Sequence, residues 1–302
     1  MSAPLVSIVV PTRNGAATLP ALLDAIAGQR VAWPFEVVAV DSGSTDGTAE
    51  LLRDRVDRVI TIAPHEFDHG LTRNLGIEQA RGELVVLMVQ DAVPASDTWL
   101  AALAGPFAAD ATLAGVYARQ LPHPGASAIA RHYLAQWAAS SNVARTEEVA
   151  SAGEFARLDP MAKLARCTFD NVCSCIRRPV WARHPFRSTP IAEELEWSRE
   201  VLLAGYRLAF VPAAAVFHSH DRPARDELAR TRQLHRRLYE LFGVRTIPTL
   251  PLLARAMASS LRLHLRCERS LRALTLAIAW PAGQYLGARS AARAARHGSD
   301  GR

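Results

Sequence analysis

Apolar residues over the first 120 positions come in short runs of two alternating kinds. LVSIVV (5–10), FEVVAV (35–40), VDRVITI (56–62) and ELVVLMV (83–89) are dense in β-branched residues and predict strands, and LAGVYARQ (113–120) predicts another. Between them, TLPALLDAIAGQ (18–29) carries Leu19, Leu22, Leu23 and Ile26 at helical spacing, with Gly28 as a stop. TAELLRDR (48–55), LTRNLGIEQARG (71–82) and TWLAALAGPF (98–107) predict further helices. Continuously apolar strands alternating with helices predict an α/β fold with a mostly parallel sheet covered on both faces. Residues 122–170 are less periodic, with helical fragments around ASAIARHYLAQWAA. FDNVCSCIRRPVW (169–181) reads as a strand and a turn. PIAEELEWSREVLLAGY (190–206) reads as a helix capped by Ser188 or Thr189, with Pro190 early and Gly205 just past its end. RLAFVP and AAVFHSH predict the last strands.

Charge then divides the chain. Residues 1–221 hold 19 Lys+Arg and 24 Asp+Glu, a net −5, whereas residues 222–302 hold 16 and 5, a net +11. The expected organisation is therefore a globular unit over 1–221 and a helical, basic C-terminal region over 222–302. In that tail, RDELARTRQLHRRLYELFG places Leu228, Leu234, Leu238 and Leu241 on one side of a helix. The following segment alternates aliphatic and Arg positions at helical spacing, which suits an anionic membrane interface with Trp280 and Tyr285 as anchors, or an oligomer contact. Few aromatics interleave the arginines, so nucleic acid is not the expected partner. Four cysteines lack zinc-site spacing and fit reduced thiols in a cytoplasmic protein, which the tail could hold against the inner membrane. The N-terminus has no signal-peptide pattern, and no run reaches the about 20 apolar residues of a membrane span.

In parallel α/β sheets, ligands sit outside the carboxyl ends of the strands. Four polar clusters are expected there: Pro11-Thr12-Arg13-Asn14, Asp41-Ser42-Gly43-Ser44, Gln90-Asp91 and His218-Ser219-His220-Asp221. A carboxylate ending a buried strand needs a partner, so Asp41 is a candidate acceptor for ligand N–H groups. Asp46 reads as a helix cap. The absence of G-x-G-x-x-G after the first strand tells against a dinucleotide-dependent oxidoreductase.

VSIVVPTRNGAATLPALLDAI followed by VVAVDSGSTDGTAELL resembles the start of the inverting glycosyltransferases called family 2, which have the GT-A fold. FDHGLTRNLGIEQARGELVVLMVQDAVP, with RQ at 119–120 and FHSHD at 217–221, resembles the rhamnosyltransferase-like branch. The likeness spans about 1–221 and makes that segment the catalytic domain. It implies transfer of a sugar, by analogy rhamnose, from a nucleotide-diphosphate donor to a glycan or lipid-linked acceptor in cell-surface polysaccharide synthesis. By the same resemblance, Pro11, Thr12, Arg13, Asn14, Asp41, Ser42 and Gln90 line the donor pocket. Arg73 and Asn74 open a helix suited to the diphosphate.

The family's Asp-x-Asp metal motif stands here as Val89-Gln90-Asp91, so the first acid is missing. The resemblance gives Asp91 the ion, Mg2+ or Mn2+, with His218 favoured over His220 as its companion. AEELEWS (192–198) resembles the family's acidic pair followed by Trp; Glu194 takes the base position, Glu193 is the second candidate, and Trp197 offers a face to an acceptor sugar. Two alternatives stand beside this reading. One is a sugar nucleotidyltransferase, although PTRNGAATLP contains one glycine rather than a phosphate loop. The other is a degenerate, non-catalytic scaffold on a membrane.

Overall fold

The computed structural model describes residues 5–299. Its strands are β1 (Val6–Thr12), β2 (Phe35–Asp41), β3 (Arg58–Thr61), β4 (Leu84–Met88), β5 (Val93–Pro94), β6 (Leu113–Leu121), β7 (Arg145–Glu147), β8 (Cys173–Arg177) and β9 (Arg207–Phe217). Among the described residues they form one sheet in the order β3-β2-β1-β4-β8-β6-β9-β5, with β7 beside β9. Pairing is parallel across β3-β2-β1-β4 and again between β6 and β9. β8 runs against both β4 and β6, so the sheet as a whole is mixed.

Three local departures from the sequence pattern have clear causes. β1 continues through Pro11, although proline within an apolar run usually ends a strand. Thr12 O accepts from Ser42 N on the β2 side, so Pro11 faces β4, where pairing has ended at Val9 and no N–H is missed. The two expected last strands are one, β9, whose register with β6 shifts across Pro212–Ala214. The 98–107 helix is two, Trp99–Ala104 and Pro106–Ala109, divided at Gly105-Pro106.

The sheet separates two cores, because successive side chains of a strand point to opposite faces. Val6, Ile8 and Val10 of β1 join the core under the Leu19–Ala27 helix and Trp99, whereas Val9 joins Ile77, Phe169, Trp197 and Phe210 on the other face. Past the charge boundary at 222 come helices Ala224–Phe242, Leu250–Cys267 and Leu271–Ser299. Leu238, Phe242 and Val244 pack into the second core, so the first tail helix is built onto the sheet. The last helix crosses it at small residues: a Cβ on Gly287 would lie 2.2 Å from Arg232 O. Among the described residues no helix is long and apolar enough to cross a membrane.

The His69–Glu78 helix lies close against β1 at Gly76, where a Cβ would stand 2.3 Å from Val9 Cγ1. Alanine has a helix-propensity advantage of about 1 kcal/mol over glycine. Overpacking a core costs about 1–3 kcal/mol. Gly76→Ala is therefore expected to lower stability in urea denaturation; a gain would show that the two elements can separate freely.

Candidate active site

All four polar clusters meet at one edge of the sheet. β1, β2, β4, β6 and β9 end there, and β8 begins there, because Cys173 pairs with Met88 at the end of β4. The loops after β1 and β2 are laced together. Asn14 N donates to Ser44 Oγ, Thr45 N donates to Asn14 Oδ1, and Gly15 N donates to Thr48 Oγ1. Asp46 accepts from Ala16 N and from both the amide and hydroxyl of Thr48, one residue ahead of the helix cap at Gly47. Asn14 is held at φ +47, the left-handed backbone that asparagine tolerates among non-glycine residues. Asp41, 2 % exposed, accepts from Ser44 N and from the Ser44 hydroxyl. Ser42 Oγ beside it is buried without a hydrogen-bond partner.

Gln90 is the middle residue of the motif, after Val89 where the first acid is missing, and its amide acts as a clasp. Arg13 N donates to its Oε1 at 2.8 Å, and its Nε2 donates to Arg13 O at 3.1 Å. It joins the β1 loop to the β4 end and leaves Asp91 free beside it.

Asp91, His218 and His220 form one cluster, with ligand atoms within 4.8 Å of one another. His218 Nε2 is 3.9 Å and His220 Nδ1 is 3.5 Å from the Asp91 carboxylate. Ligands each about 2.0–2.2 Å from one ion stand this far apart. His218 Nδ1 lies 2.8 Å from the buried Gln120 Oε1, which can only accept; the ring proton is therefore on Nδ1 and the Nε2 lone pair faces Asp91. Burial, with Arg222 and Arg230 nearby, pushes His218 well below the usual histidine range and His220 down to about 4. Both rings are neutral at physiological pH, as metal ligands must be. His220, the disfavoured histidine in the sequence, thus stands in the cluster alongside His218.

Gln120 continues the network inward. Its Nε2 donates to Asp170 Oδ2 at 2.5 Å, and Trp137 Nε1 donates to the same oxygen at 2.8 Å. Burial raises Asp170 despite these donors. Next to Asp170 lies the acidic start of helix Glu193–Leu203. Glu193 Oε1 pairs with Arg73 Nη1 at 2.8 Å and accepts from Asn171 Nδ2 at 3.2 Å. Burial pushes Glu193 up, yet Arg73 and His69 hold it below its ordinary range. Among the described residues Glu194 has no ion pair of this kind: burial, then the charges of Glu193 and Asp170, raise its carboxyl well above the ordinary glutamate value, outweighing its own backbone amide and Arg73.

Three sequence expectations are corrected here. Ser188 and Thr189 do not cap the 193–203 helix. Their hydroxyl and amide bind Asp68 Oδ2, and the cap is Ala192 at φ +62, a left-handed backbone rare outside glycine. Arg73 and Asn74 do not open their helix, which begins at His69; Arg73 is spent on Glu193. Asn74 Nδ2 donates to Phe186 O, while Phe186 N and Trp181 Nε1 donate to Asn74 Oδ1. The HGLTRN segment is thus a bed for the 186–192 loop that leads into the acidic pair. Trp197 is 2 % exposed, packs on Phe169 and Phe186 and donates to His184 O, so its face is closed to an acceptor.

Sequence reasoning missed Asp170, Arg222 and Arg230. Asp170 precedes an antiparallel strand, so the start of β8 rather than its end reaches the rim. The two arginines belong to the tail, whose charge alone gave no position.

Residues 7–149 match the model of glycosyl transferase family 2. The chain is 30% identical over 230 residues to the O-antigen chain rhamnosyltransferase RfbN of Salmonella typhimurium, across 74% of this chain and 69% of that protein. It is 30% identical over 231 residues to the O-antigen chain rhamnosyltransferase WbaN of Salmonella anatum, across 75% and 70%. The fold is that of GT-A glycosyltransferases. A mannosyltransferase, PcManGT, from Pyrobaculum calidifontis, solved with GDP-Man and Mn2+, superposes with a TM-score of 0.53 at 20% identity, over 98% of this chain and 76% of that one. S. aureus TarS 1-349 gives 0.54 at 16% identity, over 96% and 91%. This chain belongs to glycosyl transferase family 2. Neither the nucleotidyltransferase nor the scaffold alternative is supported by these relatives.

Asn74→Ala removes three buried hydrogen bonds. With about 1 kcal/mol for each bond, it is expected to destabilise the fold by roughly 2–3 kcal/mol in chemical denaturation. Turnover should fall while donor KM stays within about twofold. A raised donor KM at unchanged stability would return Asn74 to the diphosphate.

Proposed function

We propose that the chain is an inverting, metal-dependent transferase. It moves a sugar from a nucleotide-diphosphate donor to a hydroxyl of a glycan or lipid-linked acceptor, at the cytoplasmic face of a membrane. The naming of its relatives RfbN and WbaN as O-antigen rhamnosyltransferases supports rhamnose as the sugar and cell-surface polysaccharide as the product. The observation that carries the reading is Glu194, whose carboxyl is raised well above its ordinary value beside Asp170, which Gln120 links in turn to His218 of the Asp91–His218–His220 cluster.

Asp41 keeps lone pairs beyond those used by Ser44 and can accept from the N–H of a pyrimidine base. The Ser42–Ser44 turn and Pro11–Asn14 flank it. Asp91, His218 and His220 would hold the divalent ion, whose chemistry there is Lewis-acid neutralisation of the departing diphosphate. Two imidazoles with one carboxylate suit Mn2+ better than Mg2+, the harder ion. Arg222 and Arg230 add positive charge at the same edge. Glu194 takes the acceptor hydroxyl's proton as the oxygen attacks the anomeric carbon from the face opposite the diphosphate. Its raised pKa brings it nearer working pH, where a general base is most effective. Glu193, locked to Arg73, orients the helix start.

Replacing Asp91 by Asn is expected to abolish Mn2+-dependent turnover with the fold retained; wild-type turnover unchanged in EDTA would remove the metal from the scheme.

Glu194→Gln separates catalysis from stability. General-base loss is expected to lower kcat by about 10²–10⁴-fold. A carboxyl raised in the folded state loses stability as pH climbs from its unfolded value of 4.5 through the folded one. The Gln variant should therefore melt higher than wild type at neutral pH. The wild-type rate should rise with pH on a limb lying above the ordinary glutamate range. A variant with normal kcat and a lower melting point would place the base elsewhere.

A further inference from the structure

The last helix carries an exposed stripe that changes character along its length. Leu271, Leu274, Ile278 and Leu286 are 77, 38, 56 and 42 % exposed. Positions 271, 278, 289 and 296 are spaced by close to whole helical turns, so the stripe continues into Arg289, Arg293 and Arg296, all exposed. These three arginines and Arg245 line a cavity of about 320 Å³, floored by Ile247, Pro248 and Tyr285. Two of the guanidiniums are set by aromatic rings: Arg245 lies 5.0 Å from the Tyr239 ring centre, and Arg289 reaches the Tyr285 ring and hydroxyl. Among the described residues no acidic side chain lines the cavity. The neighbouring Leu250–Cys267 helix repeats the pattern, with exposed Leu250, Leu261 and Leu265 beside Arg255, Arg262 and Arg266.

We propose that this arginine pocket is a binding site for the phosphate of an anionic phospholipid headgroup. Guanidinium forks recognise phosphate oxygens in pairs. The charge is complementary, and the apolar stripe in line with the pocket gives the acyl region a surface that a free anion would not need. The pocket lies at the far end of the Ala224–Phe242 helix from Arg222 and Arg230, so it anchors the molecule without entering the rim. The inference deepens the membrane-surface part of the proposed function and is independent of the transfer chemistry.

The test is co-sedimentation of the full chain with phosphatidylcholine vesicles, with and without phosphatidylglycerol. Each arginine near an anionic surface is worth about fivefold in partitioning. Arg289→Gln with Arg293→Gln should weaken binding to phosphatidylglycerol vesicles by more than about tenfold. A control pair of equal charge change, Arg53→Gln with Arg157→Gln, should weaken it by less than about twofold; melting curves check that both fold. Equal loss in the two pairs overturns the pocket and leaves only diffuse attraction. Vesicle binding left unchanged by the Arg289→Gln, Arg293→Gln pair, while inorganic phosphate raises the melting point of wild type but not of that pair, assigns the pocket to free phosphate and overturns the lipid. Wild-type indifference to phosphatidylglycerol overturns the membrane reading itself, with turnover unaffected.

Discussion

Arg73 and Glu193 meet at 2.8 Å with side chains only 6 and 4 % exposed, and the functional edge of the molecule depends on that contact. A buried carboxylate without a cation costs several kcal/mol. Here two consecutive glutamates open one helix next to a third buried acid, Asp170. The single guanidinium settles Glu193 and leaves Glu194 facing two like charges. That asymmetry makes one acid of the pair structural and the other basic. The strained Ala192 and the bed formed by Asp68, Gly70 and Asn74 keep the pair from relaxing outward.

The same edge brings Asp91, His218 and His220 together although the first acid of the family's motif is missing. Gln90 has become a clasp on the Arg13 backbone, which fixes where Asp91 begins. The groups that stand with Asp91 are neutral imidazoles rather than another carboxylate, so the lost negative charge is not replaced. Neutral ligands with Arg222 and Arg230 close by make the edge more positive than an Asp-x-Asp site would be, a suitable field for a doubly charged diphosphate. The tail supplies those arginines, and Leu238, Phe242 and Val244 anchor the helix behind them in the second core. The basic region thus serves the site at one end and presents an arginine pocket at the other.

The fold was largely legible in the sequence. β-branched runs and helical spacing located β1 to β4, β6 and their helices, because continuous apolar strands have few other uses. Ordered motifs identified the family, and the rule that parallel strands present ligands at their carboxyl ends assembled Asp41, Asp91 and His218. That rule failed for Asp170, since it says nothing of a strand entering the sheet in reverse. The family resemblance mislaid Arg73, Asn74 and Trp197, whose residue types suit either a ligand or a core.

What the sequence determined was therefore the set of local elements, carried by short-range pattern, and the family, carried by the ordered motifs. Tertiary structure alone decided which carboxylate received the arginine, which histidine nitrogen kept its lone pair, and which aromatic was sealed from solvent. Those outcomes depend on burial and on charges brought together from distant segments, and neither is encoded in the spacing of residues along the chain.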